Sequence, residues 1–334
     1  MDTIIITFTS SALLYLFINH NNKFFHLHYY DPLISEYKIG MLDINIVLVS
    51  LLFQLLIRSI IIKLGPYILS HLLEHTNPSL PPFTEKKDRH NSISFKKKCN
   101  RFSEQLWLFV YYIFIITFGT VLYLQSEYYH DASQTFSATK YPQFFPNTAM
   151  KLYYLIQISC WFQQLITLHL EHKRKDYYEM LAHHLITIFL TVVSYCKNLW
   201  PMGHLIMLIM DVVDIFLIIS KILNYLNLRK YCNVTFALFI VNWVVFRHGI
   251  YNYLTYITWK YIPLNLGDRF SSKLYKGIMV ALVSLQGIQI IWLVMIIKLV
   301  VKLVTAPDPN KVNDSRSDDD DDEDDENDDD VGRE

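Results

Sequence analysis

Residues 171–221 read EHKRKDYYEMLAHHLITIFLTVVSYCKNLWPMGHLIMLIMDVVDIFLIISK. Two adjacent histidines, His183 and His184, sit inside one apolar run, and two aspartates, Asp211 and Asp214, sit inside the next. Ionisable groups at membrane depth are costly, roughly 2.5–3.5 kcal/mol for an Asp at a helix centre, so a chain that keeps four of them there is expected to use them. The short connection containing Trp200, Pro201 and Gly203 forces the two runs into an antiparallel hairpin.

Composition supports a membrane class. The chain is 52% hydrophobic and 15% aromatic, with 23 Tyr and 21 Phe, and only 18% charged, below the ~25% usual in soluble domains. The modest mean hydropathy of +0.21 is explained by residues 318–330, DDDDDEDDENDDD, which hold 12 of the 31 acidic residues. Without that run, 30 basic residues face 19 acidic ones: a basic membrane body with an acidic appendage. Cys99, Cys160, Cys196 and Cys232 are scattered without CxxC spacing, so neither a disulfide framework nor a zinc site is expected.

Apolar runs fall at about 43–63, 104–125, 150–170, 181–197, 200–220, 232–250 and 277–304. Residues 4–18 are apolar but short for a span of ~20 residues, and either cross or lie on the lumenal surface; they lack the basic flank of a cleaved leader. The count is seven spans, or eight. Positively charged loops stay cytosolic. That rule places Lys96, Lys97 and Lys98, then Lys173, Arg174 and Lys175, then Lys221, Arg229 and Lys230, and the C-terminus on the cytosolic side. The loop 251–276, with Lys260, Arg269, Lys273 and Lys276, dissents.

At 1.5 Å per residue, His183 lies roughly 12 Å below Lys175, and Asp214 and Asp211 roughly 10 and 15 Å below Lys221. Both aspartates share a helix face. The histidines point about 100° apart, so one addresses a reacting centre and the other packs against a neighbour. A His supported by a carboxylate can act as general base or as nucleophile; the plainer alternative is helix-to-helix pairing. A di-iron histidine-box hydroxylase is the rival enzyme. His71, His75, His169, His172, His183 and His184 mimic such boxes, but they are too few, and Glu179 and Met180 stand where the upstream box histidine belongs. No metal is expected.

The run Arg174-Lys175-Asp176-Tyr177, Glu179-Met180, His183-His184, Thr187, Ser194-Tyr195 and Asn198, continued by Asp211-x-x-Asp214 and Lys221-x-x-x-Tyr225, resembles the Lag1 motif of ceramide synthases. Outside it, Arg101–Glu104, Trp107, Tyr111-Tyr112, Tyr141-Pro142, Tyr153-Tyr154 and Trp161-x-Gln163-Gln164 are similar to the upstream part of the TLC domain. Trp243, Arg247, Leu285-Gln286 and Trp292 resemble its downstream part, so the likeness covers residues 100–304. It implies an endoplasmic reticulum enzyme that transfers a fatty acyl group from acyl-CoA, as co-substrate and without a cofactor, to the amine of a sphingoid base. His183 would handle the acyl group, His184 would support proton transfer, and Asp211 and Asp214 would orient and charge-stabilise the imidazole. Met210 departs from the His found there in many animal members and looks like the fungal branch. That branch suggests very-long-chain acyl-CoA, dihydrosphingosine or phytosphingosine, and a small single-pass regulatory subunit; a homo- or heterodimer is also implied. The non-catalytic alternative is a TLC-domain protein that binds lipid or assists translocation.

Five further residues are substrate-binding candidates: Trp161, Gln164, Arg174, Lys175 and Arg247. Arg174 and Lys175 either meet the CoA phosphates or simply mark the cytosolic side. Arg247 either lines a substrate cavity or snorkels to the interface. Ser315 and Ser317 precede the acidic run and suit an acidophilic kinase such as casein kinase 2; no nucleic-acid partner is expected. The expected architecture is therefore all-α: a polytopic bundle of about six transmembrane helices plus at least one N-terminal span. It divides into an N-terminal segment (1–42), a first clear span with a basic cytosolic loop (43–103), the membrane domain (104–305) and a tail expected to be disordered (306–334).

Overall fold

The computed structural model describes residues 2–19, 26–76, 89–136, 141–170, 176–305. Arg174, Lys175, Ser315, Ser317 and the acidic tail lie outside the described residues. The described chain is helical almost throughout: α1 (Asp2–Asn19), α2 (Asp43–Thr76), α3 (Arg89–Leu124), α4 (Thr148–Leu170), α5 (Tyr177–Cys196), α6 (Trp200–Tyr225), α7 (Arg229–Asn242), α8 (Tyr251–Tyr261) and α9 (Ser272–Thr305). A π-helical stretch, Trp243–Ile250, joins α7 to α8 without a break. By length and composition, Asp43–Thr76, Phe95–Leu124, Tyr177–Cys196, Arg229–Arg269 and Ser272–Thr305 can each cross a membrane. The shorter apolar helix Thr3–Phe17 packs along α2.

The α5–α6 hairpin forms as its sequence demands. Asn198 takes the left-handed conformation at φ 54°, a geometry that Asn tolerates better than most residues. Around it the amides of Lys197 and Leu199 donate to Val193 O and Ser194 O, at 2.9 and 2.8 Å. These bonds satisfy carbonyls the helix end would otherwise leave bare. Pro201 then sits in the first turn of α6, where its missing N–H costs nothing. Gly203 lets the two helices and α4 close: a Cβ there would lie 1.9 Å from the hydroxyl of Tyr154 and 2.8 Å from Oγ of Ser194. Those two hydroxyls are hydrogen-bonded to each other.

Two stretches expected as loops are helix instead. α2 does not stop at 63 but runs through Pro66 to Thr76, and α3 starts at Arg89. Leu69, Cys99, Phe102 and Leu226 bury one another there as a separate small core. Helices continue past hydrocarbon whenever an apolar stripe finds a partner, even where charge ends the hydropathy signal. At the opposite end of the bundle, residues 251–261 continue helically before Ile262–Leu266 and Gly267–Arg269 turn into α9. Tyr251, Leu254 and Ile257 bury one side of that helix, while Tyr253, Tyr256 and Trp259 stay exposed.

The segment before α2 is tied to the α5–α6 turn end of the bundle. A two-stranded ribbon pairs Tyr30 with Tyr37 and Asp31 with Glu36, and Tyr37 exchanges backbone hydrogen bonds with Phe145 at 2.8 and 3.0 Å. Beside it the buried ammonium of Lys151 pairs with Asp43 at 2.7 Å and donates to the carbonyls of His28 and Lys38. The hydroxyl of Tyr195 donates to the same Asp43 at 2.7 Å. One buried ion pair thus holds the N-terminal segment, α2, α4 and α5 together.

Candidate active site

α4 and α6 run through the middle of the bundle and carry its polar interior. On α4, Tyr153, Gln157, Trp161 and Gln164 recur at helical spacing. On α6, Asp211 and Asp214 face the same interior. A narrow cavity extends from His183, Trp161, Asp211, Asp214 and Arg247 toward Phe136, Leu199 and Ile262 at the turn end. Along α5 its wall is His183, Thr187, Leu190, Thr191 and Ser194, one helix face about 16 Å long at 1.5 Å per residue. The hydroxyls of Thr191 and Ser194 donate to Thr187 O and Thr191 O. Their polar groups are therefore spent on the helix backbone, and the channel interior stays largely apolar.

The two histidines diverge, as a 100° offset requires. His183 lines the cavity, and its ring lies edge-on among Trp161, His184 and Trp292, with centroids 5.5, 5.5 and 5.2 Å away. Its Nδ1 is buried without a hydrogen-bond partner. His184 is buried and does not line the cavity. Its Nδ1 contacts the Met180 carbonyl at 2.6 Å; a carbonyl only accepts, so Nδ1 carries the proton and Nε2 keeps its lone pair. His204 supplies the contrast of a structural histidine. Both of its nitrogens are bonded, Nδ1 to the Tyr128 hydroxyl at 2.6 Å and Nε2 to Gly119 O at 3.1 Å.

Each aspartate has its own support. Gln157 Nε2 donates to Asp211 Oδ2 at 2.6 Å, and the Tyr111 hydroxyl donates to Gln157 Oε1 at 3.2 Å. Asp214, half-buried, forms an ion pair with the buried Arg247 and accepts a longer bond, 3.4 Å, from Tyr112. Arg247 is buried, lines the cavity and stacks over Trp243 with its guanidinium carbon 4.2 Å from the ring centre. It does not snorkel. Among the described residues no hydrogen bond joins either aspartate to either imidazole; the carboxylates and His183 share a cavity wall rather than a direct contact.

Of the other candidates, Trp161 lies edge-on to both histidines, whereas Gln164 turns back to donate to Cys160 Sγ at 3.4 Å and does not line the cavity. Met210 lines it beside Asp211 and receives Gln289 Nε2 at 3.8 Å. His71 and His75 pack edge-on against each other in α2. Among the described residues no three His, Cys, Asp or Glu side chains converge as metal ligands.

Sequence reasoning missed Gln157, which no motif flagged; its only signal was the i, i+4, i+8 stripe Tyr153–Gln157–Trp161. It also gave no role to the orphan polar atoms around His183. Trp161 Nε1, Thr187 Oγ1, Arg247 Nε, Gln289 Oε1 and Trp292 Nε1 are buried with no partner. Native interiors rarely leave so many such atoms in one place; here they line or border the head of an apolar channel.

The fold and site define a polytopic helical bundle with a polar centre opening onto an intramembrane channel. The TLC domain family model matches residues 101–298, more than half the chain, and the protein belongs to that family. It is a multi-pass membrane protein. It is 32% identical over 232 residues to sphingosine N-acyltransferase lag1 of Schizosaccharomyces pombe, covering 67% of this chain and 58% of the relative. Ceramide Synthase FUM18 of Gibberella moniliformis is 32% identical over 232 residues, 70% of this chain and 50% of the relative. Ceramide synthase 5 of Homo sapiens is 30% identical over 223 residues, 65% and 54%. The chain thus spans between half and three-fifths of the length of these relatives.

Proposed function

We propose that this protein is a ceramide synthase, transferring a long fatty acyl group from acyl-CoA to the amine of a sphingoid base. The observation that carries the reading is His183: a cavity-lining imidazole with an unpartnered nitrogen, at the head of an apolar channel, beside two supported carboxylates. The names of the relatives agree with it.

In this reading the acyl chain lies along the α5–α6 wall and the thioester carbonyl rests near His183. The amine nitrogen, or His183 itself in a first half-reaction, attacks that carbonyl and forms the new bond. The C–S bond breaks; where His183 has taken the acyl group, the amine then attacks the acyl-imidazole and its acyl C–N bond breaks in turn, and the proton lost by the amine passes through imidazole to the thiolate. Asp214 and Arg247 set the field felt by the imidazole, and Gln157 holds Asp211 in place. Water is kept out by the surrounding bundle, which strengthens each of these interactions. The CoA head group stays at the end where α4 finishes and α5 begins, taken as cytosolic in an endoplasmic reticulum membrane; a regulatory subunit and the tail serines belong to control of the reaction.

The test is direct. Purified protein in liposomes, with acyl-CoA and a sphingoid base, should form N-acylated product and release CoA in equal amounts. Absence of any amide product, with a candidate subunit supplied, would overturn the reading.

A further inference from the structure

Arg247 and His248 are consecutive residues of the π-helical stretch and diverge onto different surfaces. Arg247 lines the cavity, whereas His248 lies in a shallow groove on the outer face of its own helix, with Val244, Val245, Gly249, Ile250 and Tyr253. Across from them on α9 the pattern repeats: Leu285 lines the cavity, and Gln286 meets His248, with Gln286 Nε2 2.7 Å from His248 Nδ1. Val244, Val245 and Tyr253 are exposed at 47, 47 and 56%, on a helix long and apolar enough to cross a membrane. The groove consequently opens toward lipid.

A His–Gln pair on a lipid-facing wall is costly unless it is used. With Gln286 donating to Nδ1, the neutral ring keeps its proton on Nε2. Both His248 Nε2 and Gln286 Oε1 are buried without a partner. One is a donor and the other an acceptor, which is the complement of a hydroxyl or of a primary amine. The backbone is also laid bare here: a Cβ on Gly249 would meet only Val244 O at 3.9 Å, and one on Gly287 would meet nothing within 4 Å.

We propose that this groove is the binding and entry site of the second substrate, a long-chain amino alcohol delivered from the bilayer, with His248 and Gln286 holding its polar head beside Arg247. The proposal rests on the acyl-transfer reading above and adds to it a separate route. The acyl chain takes the narrow channel along α5 and α6, so the amine arrives through the α9 side and meets the thioester from the other face. Leu282 and Leu285, which line the cavity at this wall, are the side chains that shift to admit it.

The experiment combines labelling with kinetics on the full chain in liposomes. A photoactivatable sphingoid base should label peptides within 243–253 and 284–290, and unlabelled base should compete. Gly249→Phe fills the groove without backbone overlap and should lower labelling about tenfold, and Gln286→Leu should raise KM for the base by a similar factor while leaving KM for acyl-CoA within about twofold. Labelling elsewhere, or labelling unchanged in Gly249→Phe, overturns the proposal whether or not the protein turns over. An equal rise in both KM values does so as well. Labelling at these peptides without amide formation would instead leave the groove standing and sink the acyl-transfer reading.

Discussion

Arg247 of the π-helical stretch and Asp214 of α6 form a partly buried ion pair, with the guanidinium stacked on Trp243 and the carboxylate facing the cavity. The pair binds the α7–α8 helix to the hairpin that carries the histidines. Removing one partner strands the other. Asp214 keeps 29% of its side chain exposed, so a loss of about 2–3 kcal/mol is expected, below the roughly 3–5 kcal/mol of a fully enclosed pair. Arg247→Met and Asp214→Asn should each lower the melting temperature of the solubilised protein. The double variant should be less destabilised than the sum of the two, by about 0.5–3 kcal/mol. Additive losses would mean that the pair carries no coupling.

Gln157 is the sole hydrogen-bond donor found for Asp211 among the described residues. Gln157→Leu keeps the volume and removes the donor. Hydrogen bonds to charged groups contribute about 1.5–3 kcal/mol, so kcat should fall roughly 10- to 150-fold. A readout of amide formation at saturating substrates checks this, with the melting temperature as control. Wild-type kcat in Gln157→Leu would show that Asp211 needs no positioning.

Gly203 marks the tightest crossing near the hairpin turn. Gly203→Ala drives a methyl into the Tyr154 hydroxyl, and overpacking of this kind costs about 1–3 kcal/mol. Adding Tyr154→Phe removes the obstructing oxygen and should restore part of the loss. Thermal unfolding of the three variants measures both effects.

The ion pair of Lys151 and Asp43 should govern how firmly the N-terminal segment is held. Lys151→Met leaves the Asp43 carboxylate buried with, among the described residues, the Tyr195 hydroxyl and the Gly40 amide as donors. Limited proteolysis should then cut within residues 26–42 faster than in the wild type, while cleavage elsewhere is unchanged. Equal rates would assign the pair no anchoring role.

Much of this architecture was legible in the sequence because hydrocarbon imposes its own length and polarity rules. Apolar runs marked the spans, and Trp200, Pro201 and Gly203 marked the hairpin. The four ionisable residues stood out because His and Asp are costly at that depth. The helical continuations of α2 and α8 were hidden because hydropathy ends where charge begins, whereas packing does not. Gln157 escaped notice because one amide in an apolar helix carries little signal until its partner is known. The support of Asp211 by Gln157 and of Asp214 by Arg247, in place of direct bonds to imidazole, is a tertiary fact: α4, α6 and the π-helical stretch meet only in the fold.

The central claim is that His183 performs the chemistry while His184 is held by the helix backbone. The decisive measurement is the rate of amide formation from acyl-CoA and a sphingoid base for the wild type, His183→Ala and His184→Ala at matched folded protein. Loss of the reacting imidazole should lower the rate by about 10²–10⁴-fold, and His184→Ala should be the milder lesion. A His183→Ala protein that stays folded and works within threefold of wild type would contradict the account.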